Sequence, residues 1–238
     1  MNAFKKIFES TTFPILINSF NRPTYLKLMV EEFNKINYLP IVLDNNSTNK
    51  ELLEYYEKNN KKKFILIRFD KDYGNNIIYS NELYYNLPDY FAYTDCDLKL
   101  NHNLPKNFIE ILCKLTDEFS TFKAGFALQI HNIKLKNIVN KKIKRTIKDW
   151  EKNYWTKPLK HNELEIYSAK IDTTFAVYNK KNDNLPGAKS SVNSIRVAGN
   201  FTAVHLPWIV DDPMPKSEEK FYLNSDKLKV GGWHNDEN

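Results

Sequence analysis

The sequence predicts an α/β fold in which a mostly parallel central sheet is flanked by helices. Three observations support this prediction. Short apolar segments rich in β-branched residues alternate with helix-length amphipathic segments in the first half of the chain. Hydrophobic residues make up 42% of the 238 residues, which is enough for a sizeable core. The 2 cysteines cannot form a disulfide framework, so the core must stabilise the fold.

The first half contains four predicted strands, over residues 13–18, 38–43, 63–69 and 90–94. Predicted helices separate them. The first begins at Pro23, the second covers residues 50–59 behind a cap at Ser47 or Thr48, and the third covers residues 77–86. This alternation predicts βαβ units with right-handed crossovers. The carboxyl ends of parallel strands meet at one edge of such a sheet, which is where ligands bind.

The second half of the chain is less regular. A helix is predicted over residues 104–113, with Pro105 in its first turn, and strand-like segments over residues 125–130, 172–178 and 195–205. The very basic residues 134–148 are predicted to form the solvated face of a helix. Because no internal repeat or linker occurs, we expect a single domain over residues 1–238, with a regular half (1–100) and an irregular half (101–238).

The net charge of the chain limits the kinds of binding partner that we expect. Lys and Arg number 35 and Asp and Glu number 29, which gives a net charge of +6. This charge is compatible with an anionic ligand, an anionic membrane or a nucleic acid. We expect no nucleic-acid partner, since the basic residues are dispersed among nearly as many acids and no recognition motif occurs. Because neither a secretory signal nor an apolar run long enough to span a bilayer is present, a cytoplasmic protein is expected.

Two carboxylates follow the fourth predicted strand. Asp95 and Asp97 lie two residues apart where the apolar segment ends, so both can turn toward one point beyond the sheet edge. Carboxylate oxygens with open positions beside them are typical of Mg²⁺ or Mn²⁺ sites, in which water and phosphate oxygens complete the coordination. The pattern therefore predicts a site for a divalent cation.

Three segments together resemble the GT-A type of nucleotide-sugar glycosyltransferase, close to family 2. The first strand ends in Ser19-Phe20-Asn21-Arg22, the second in Asp44-Asn45-Asn46-Ser47, and the fourth in Asp95-Cys96-Asp97. In that family the corresponding positions carry a Thr/Ser-aromatic-Asn-Arg segment, an Asp-Asn/Asp-x-Ser turn and the DxD motif. The resemblance covers residues 13–100 well and the remainder loosely.

The resemblance implies roles for particular residues. The implied donor-binding residues are Ser19, Phe20, Arg22, Asp44, Asn46, Gly74, Asn75 and Asp95. The implied metal ligands are Asp95, Asp97 and a late histidine, for which His205 is the first choice and His234 the alternative. The ion, Mn²⁺ or Mg²⁺, would neutralise the diphosphate leaving group. Gly231 and Gly232 would allow the C-terminal segment to close over the nucleotide.

The catalytic base and the acceptor site are expected in the second half. Asp172 is the first candidate for the base that deprotonates the acceptor hydroxyl, and Glu151 is the second. Trp150 and Trp155, with Tyr154, are expected to stack on acceptor sugars. The acidic pair and the Gln-x-x-Arg-Trp segment typical of family 2 do not occur in clean form. An inverting mechanism is therefore favoured over a retaining one only weakly.

The implied activity is a metal-dependent transfer of a sugar, expected from a UDP-sugar, to a glycan acceptor. Bacterial surface polysaccharide such as lipooligosaccharide or capsule is the implied product. The basic residues 134–148 allow peripheral contact with the cytoplasmic face of the inner membrane. Two alternatives stay open: a GT-A-like protein that binds nucleotide without efficient transfer, and a basic nucleic-acid-binding protein.

Overall fold

A computed structural model describes residues 3–80, 83–140, 142–183, 193–225 and 233. The α-helices are α1 (Ala3–Glu9), α2 (Pro23–Lys35), α3 (Lys50–Asn59), α4 (Leu83–Asn86), α5 (Phe108–Glu118), α6 (Ile147–Glu151) and α7 (Lys216–Ser225). The strands are β1 (Ile15–Ser19), β2 (Ile41–Asp44), β3 (Ile65–Arg68), β4 (Tyr90–Asp95), β5 (Leu98–Lys99), β6 (Lys123–Phe126), β7 (Pro158–Leu159), β8 (Ile166–Ser168), β9 (Ala176–Asn179), β10 (Ser194–Val197) and β11 (Val204–His205).

The central sheet of the described residues has nine strands in the order β3-β2-β1-β4-β9-β6-β10-β8-β7. Strands β3, β2, β1 and β4 are all parallel. Strand β9 is antiparallel to both β4 and β6, β10 is parallel to β6, and β8 is antiparallel to both β10 and β7. Only β9 and β8 therefore run against the other seven, so the predicted α/β class with a mostly parallel sheet is confirmed.

Both faces of the sheet are buried, as parallel sheets require. In β1 the side chains alternate: Ile15 and Ile17 join the core beneath α2, α3 and α5, whereas Leu16 joins the core beneath α1 and α4. This placement explains why Ile15, Leu16 and Ile17 are apolar in succession rather than at every second position. None of the described helices is long and apolar enough to cross a bilayer.

Three predicted features differ in detail from the structure: the helix over residues 77–86, the cap of α3 and the start of α5. The predicted helix 77–86 is split into a 3₁₀ helix (Gly74–Tyr79) and the short α4. The cap of α3 is Asn49, whose side chain accepts a hydrogen bond from the Leu52 amide at 3.0 Å, because the Ser47 hydroxyl instead accepts from the Asn21 amide. Helix α5 begins only at Phe108, after a turn in which the Pro105 carbonyl accepts from the Phe108 amide.

The basic residues 134–148 do not form the predicted helix. Residues 134–140 and 142–146 form a loop, and only the last residues of the segment enter α6. Backbone bridges fix the loop: Leu135 pairs with Ile209, and Val139 pairs with Thr146. The predicted strands 125–130 and 172–178 are shorter and displaced, as β6 and β9. The predicted segment 195–205 is two strands, β10 and β11, separated by a turn.

Candidate active site

Polar side chains join the carboxyl ends of neighbouring strands. Asn18 on β1 stands opposite Asp95 on β4, and its side-chain amide donates to Asp95 Oδ1 at 2.8 Å. The amide of Asn45, which follows β2, donates to Asn18 Oδ1 at 2.7 Å. These hydrogen bonds hold the three strand ends in one network. As expected from the sheet topology, the polar loops of the first half meet at one edge.

The acid pair lies where β4 passes into β5. Burial, and next the charge of Asp97, raises the pKa of Asp95 to about 6. Burial would also raise the pKa of Asp97, but the Arg22 guanidinium and His205 outweigh it and hold that pKa below its usual range. The two carboxylates therefore differ in character, because one faces cations and the other faces a second acid.

A small two-stranded sheet brings His205 to Asp97. Strand β11 pairs with β5 so that His205 stands opposite Leu98, and the Leu206 amide donates to the Asp97 carbonyl at 2.9 Å. His205 Nε2 then lies 3.5 Å from Asp97 Oδ2. The predicted neighbourhood of Asp97 and His205, more than one hundred residues apart in the chain, is therefore present in the structure.

Arg22 is the cation nearest to Asp97. Its Nη1 donates to Asp97 Oδ2 at 2.5 Å, and its guanidinium lies 4.9 Å from the ring centre of Tyr222 in α7. Three atoms at this junction are buried without a hydrogen-bond partner, namely Arg22 Nε, Asp97 Oδ1 and His205 Nδ1. Unpaired buried polar atoms are costly, so they mark a place where a bound group would add partners.

The three metal ligands expected from the sequence do not come together. In the part of the chain that the structure describes, no group of three His, Cys, Asp or Glu side chains is placed to hold a metal ion. Asp97 and His205 are neighbours, whereas Asp95 turns its Oδ1 to Asn18. The alternative ligand, His234, and the two glycines Gly231 and Gly232 lie outside the described residues.

A pocket of about 250 Å³ opens beside this junction. Nine residues singled out from the sequence line it: Arg22, Asn75, Asp95, Asp97, Trp150, Glu151, Tyr154, Asp172 and His205. The pocket therefore unites the acid pair of the first half with both base candidates of the second half. Six other residues, Ser19, Phe20, Asp44, Asn46, Gly74 and Trp155, are not among those that line it.

Asp44 lies at the end of β2, fully buried, in a network of its own turn. Its carboxylate accepts from the Tyr56 hydroxyl at 3.0 Å, from Arg68 Nε at 3.1 Å and from the Ser47 amide. Burial raises its pKa in spite of these donors. Because its oxygens are occupied by neighbouring groups, the structure shows Asp44 stabilising the turn, and its role in donor binding stays a prediction.

The other residues outside the pocket also have structural contacts. The Ser19 hydroxyl bonds to the Tyr56 hydroxyl at 3.0 Å, and the Phe20 ring packs edge-on against Tyr222. Asn46 and Gly74 both have positive φ, at 60° and 59°, and so shape the turns that they occupy. Trp155 packs against Tyr167 and His131, away from the pocket where we expected it.

The two candidate bases are in different environments. Asp172 is exposed in the turn before β9 and faces the pocket. Glu151 is buried and forms an ion pair with Arg196, and burial raises its pKa to about 6 although Arg196 opposes the shift. Because the Glu151 carboxylate is buried and already bonded to Arg196, whereas Asp172 is exposed to the pocket, the geometry favours Asp172 over Glu151 for contact with an acceptor hydroxyl.

Sequence reasoning missed several residues of the pocket wall. Arg196, on β10, donates to the Lys170 carbonyl at 2.6 Å and lies 4.2 Å from the ring centre of Tyr154. Trp208 packs 4.4 Å from His205 and 5.9 Å from Trp233, measured between ring centres. No local pattern identifies these side chains, because each comes to the pocket from a different element. The only available signal was the proximity of Trp208 to His205 in the sequence.

The fold is similar to those of several solved proteins. The chain is similar to the mannosyltransferase PcManGT from Pyrobaculum calidifontis in complex with GDP-Man and Mn²⁺, at 9% identity and a TM-score of 0.48, over 84% of this chain and 61% of that one. It is also similar to TarS 1–349 from S. aureus in complex with UDP-GlcNAc, at 13% identity and a TM-score of 0.39, over 71% of this chain and 45% of that one.

This chain thus spans less than two thirds of the length of either structure. The functional proposal rests on the residues of the pocket. No family model and no curated protein matches the chain.

Proposed function

We propose that this protein is a GT-A-type glycosyltransferase that transfers a sugar from a nucleoside-diphosphate donor to a hydroxyl group of a glycan. The observation that carries the proposal is the junction of Asp97, Arg22 and His205 at the carboxyl edge of the sheet, in one pocket with Asp172. A cationic side chain at such an edge suits a diphosphate, and the acids beside it suit a divalent cation that accompanies a diphosphate. An exposed carboxylate in the same pocket suits an acceptor hydroxyl.

The residues present fit a divalent cation in part. Asp97 Oδ1 is buried without a hydrogen-bond partner, and His205 Nε2 lies 3.5 Å from the other oxygen of the same carboxylate. Carboxylate oxygens suit Mn²⁺ or Mg²⁺, which complete their shells with water and phosphate, and an imidazole ligand favours the softer Mn²⁺ over Mg²⁺. Asp97 and His205, with Asp95 beside them, would hold the ion, which would neutralise the leaving diphosphate.

The protein's own residues would carry the remaining steps. Arg22 would bind the donor diphosphate by charge-assisted hydrogen bonds. Asp172 would take the proton from the acceptor hydroxyl while the hydroxyl oxygen attacks the donor sugar. This step corresponds to inversion of configuration at the sugar carbon. Trp150, together with Trp208, would offer flat apolar faces to the acceptor ring. We further infer a UDP-sugar donor and, from the family resemblance, an acceptor in bacterial surface polysaccharide assembled at the cytoplasmic face of the inner membrane.

The test is a panel of nucleotide-sugars with Mn²⁺, with nucleotide release and thermal stabilisation as readouts. A ligand at about 100 times its dissociation constant stabilises the fold by about 2.7 kcal/mol, so even a donor that is not turned over is detected. We expect Asp97→Asn and Asp172→Asn each to reduce turnover by roughly 100-fold or more, with Asp172→Asn leaving donor binding nearly unchanged.

The matched control is Asp70→Asn, which changes an exposed aspartate outside the pocket and should leave turnover unchanged. Full turnover in both pocket variants would overturn the assignment of the site. Stabilisation by a nucleotide-sugar without turnover in the presence of varied acceptors would favour the alternative, a protein that binds nucleotide without transfer.

A further inference from the structure

One strongly basic surface is not explained by the pocket. From residue 119 to residue 148 the sequence contains no Asp or Glu, and residues 134–148, here called the basic loop, contain seven Lys or Arg. The whole chain has a net charge of only +6. Five of these basic residues are exposed, namely Lys134, Lys142, Lys144, Arg145 and Lys148. The basic loop is therefore a local cluster of positive charge without acidic residues of its own.

The basic loop is a built structure. The Asn140 amide donates to the Arg145 carbonyl at 3.0 Å, and the Lys144 amide donates to the Asn140 carbonyl at 2.8 Å. The side-chain oxygen of Asn140 accepts from the amides of Lys142 and Ile143. Ile138 and Ile147, one on each side of the tip, are buried in the core. The described residues of the tip, 138–140 and 142–147, are therefore held in a defined conformation.

Two apolar side chains point outward from this tip. Val139 is 51% exposed and Ile143 is 37% exposed, and exposed basic residues lie on both sides of Ile143. Exposure of large apolar side chains to water at the end of a loop is unfavourable. Such side chains can instead enter the boundary between lipid headgroups and acyl chains. Basic residues around them are attracted to anionic headgroups at the same time.

We propose that the basic loop docks on the surface of an anionic lipid bilayer, with Val139 and Ile143 entering the headgroup region. A single-stranded nucleic acid is a poorer match, because residues 134–148 contain no Phe, Tyr or Trp on which bases could stack. Outward aliphatic side chains would also have no partner in a phosphate backbone. The combination of charge and aliphatic groups fits a lipid surface.

Docking would also orient the pocket. The basic loop continues directly into α6, whose Trp150 and Glu151 line the pocket wall. A docked loop would therefore bring the pocket close to the bilayer, where an acceptor carried on a lipid could reach Asp172. The docking surface is independent of the proposed transferase activity, and only this use of it rests on that activity.

Co-sedimentation of the full chain with vesicles tests the proposal. We expect binding to phosphatidylcholine vesicles that contain about 30% phosphatidylglycerol, and little binding to phosphatidylcholine alone. The triple variant Lys142→Gln/Arg145→Gln/Lys148→Gln should weaken binding by about 100-fold, since each basic residue near an anionic surface contributes about fivefold. Val139→Ser/Ile143→Ser should weaken it severalfold at unchanged charge.

The matched control is Lys50→Gln/Lys58→Gln/Lys62→Gln, which removes the same charge from exposed lysines elsewhere. If this control weakens binding as much as the loop variant, net charge alone is responsible and the proposal is wrong. Absence of binding by the unaltered chain, or loss of single-stranded RNA binding rather than vesicle binding in the loop variant, would also overturn it. Thermal unfolding of each variant, and nucleotide-sugar binding, separate loss of docking from loss of the fold or of the proposed activity.

Discussion

At the scale of single residues, a divalent cation bound at the proposed site would compete with Arg22 for Asp97. The guanidinium already donates to Asp97 Oδ2 at 2.5 Å and is stacked near Tyr222. A metal ion on the unpaired Oδ1 of Asp97 would weaken this ion pair, because both cations draw on the negative charge of one carboxylate, and the guanidinium would then be freer to bind a phosphate. Arg22 would link metal binding to donor binding, a role that neither strand-end pattern reveals.

We expect Arg22→Ala to bind Mn²⁺ about tenfold more tightly without nucleotide, because a competing positive charge is removed from Asp97. The same variant should bind nucleoside diphosphate about tenfold more weakly, because a charge-assisted donor is lost. Titration calorimetry and the electron paramagnetic resonance signal of free Mn²⁺ measure the two affinities. Arg145→Ala, an exposed arginine outside the pocket, should change neither. Weaker Mn²⁺ binding by Arg22→Ala would contradict the competition.

At the scale of elements, helix α7 supplies the cap of helix α2. Arg22 at the N-cap position makes no side-chain capping bond, and Pro23 has no amide hydrogen to offer. The buried carboxylate of Glu218 in α7 accepts from the Thr24 amide at 3.1 Å and from the Thr24 hydroxyl at 2.5 Å. A second hydrogen bond joins Asn21 to Ser225 at 2.9 Å. Helix α7 thus holds the turn that carries Arg22.

Replacement of Glu218 by Ala should lower the free energy of unfolding by about 1–2 kcal/mol, the usual cost of a lost helix cap. Urea denaturation measures the change, and Thr24→Ala in the Glu218→Ala background should add less than it does alone. Glu219→Ala removes the neighbouring surface pair with Lys216 and should cost less than about 0.5 kcal/mol. Equal losses for Glu218→Ala and Glu219→Ala would show that α7 does not cap α2.

At the scale of the whole molecule, one buried lysine makes the free energy of unfolding depend on pH in the alkaline range. Lys123 on β6 is 5% exposed, with its ammonium 3.3 Å from the Ile171 carbonyl and 4.7 Å from the ring centre of Tyr178. Burial lowers its pKa to about 8, although Asp172 opposes the shift. The unfolded chain holds this proton up to about pH 10.4, so between these values the unfolded state binds more protons.

The free energy of unfolding of the unaltered chain should therefore rise as the pH rises from 8 toward 10, because the buried lysine loses its charge. At pH 7, where the buried lysine is charged, Lys123→Met should stabilise the protein. The gap between Lys123→Met and the unaltered chain should narrow by about 1–2 kcal/mol between pH 7 and pH 9.5. Urea denaturation at both pH values measures it. Lys58→Met, on the surface of α3, should show a gap that does not change with pH. A constant gap for Lys123→Met would mean that the lysine titrates normally.

The predictable part of the fold is its first half. Each of β1 to β4 overlaps its predicted strand and α3 has its predicted bounds, because their apolar patterns depend only on near neighbours in the chain. The helix predicted for residues 134–148 was wrong. Basic and apolar residues at helical spacing are compatible with a helix, but Leu135 and Val139 pair instead with Ile209 and Thr146. Tertiary pairing overrode local propensity there.

The sequence by itself determined that the two acids lie at the end of a strand. An apolar strand that is followed by Asp95 and Asp97 places both of them at the sheet edge. Only the tertiary structure decided what those acids meet. Arg22 reaches Asp97 across 75 positions of the chain, and Glu151 reaches Arg196 across 45. Local patterns encode periodicity within a few residues, whereas such pairs depend on strand order and on which loops close over the edge. The contacts of Asp44 with Tyr56 and Arg68 also depend on the folded structure. The position of Arg196 in the pocket wall depends on it in the same way.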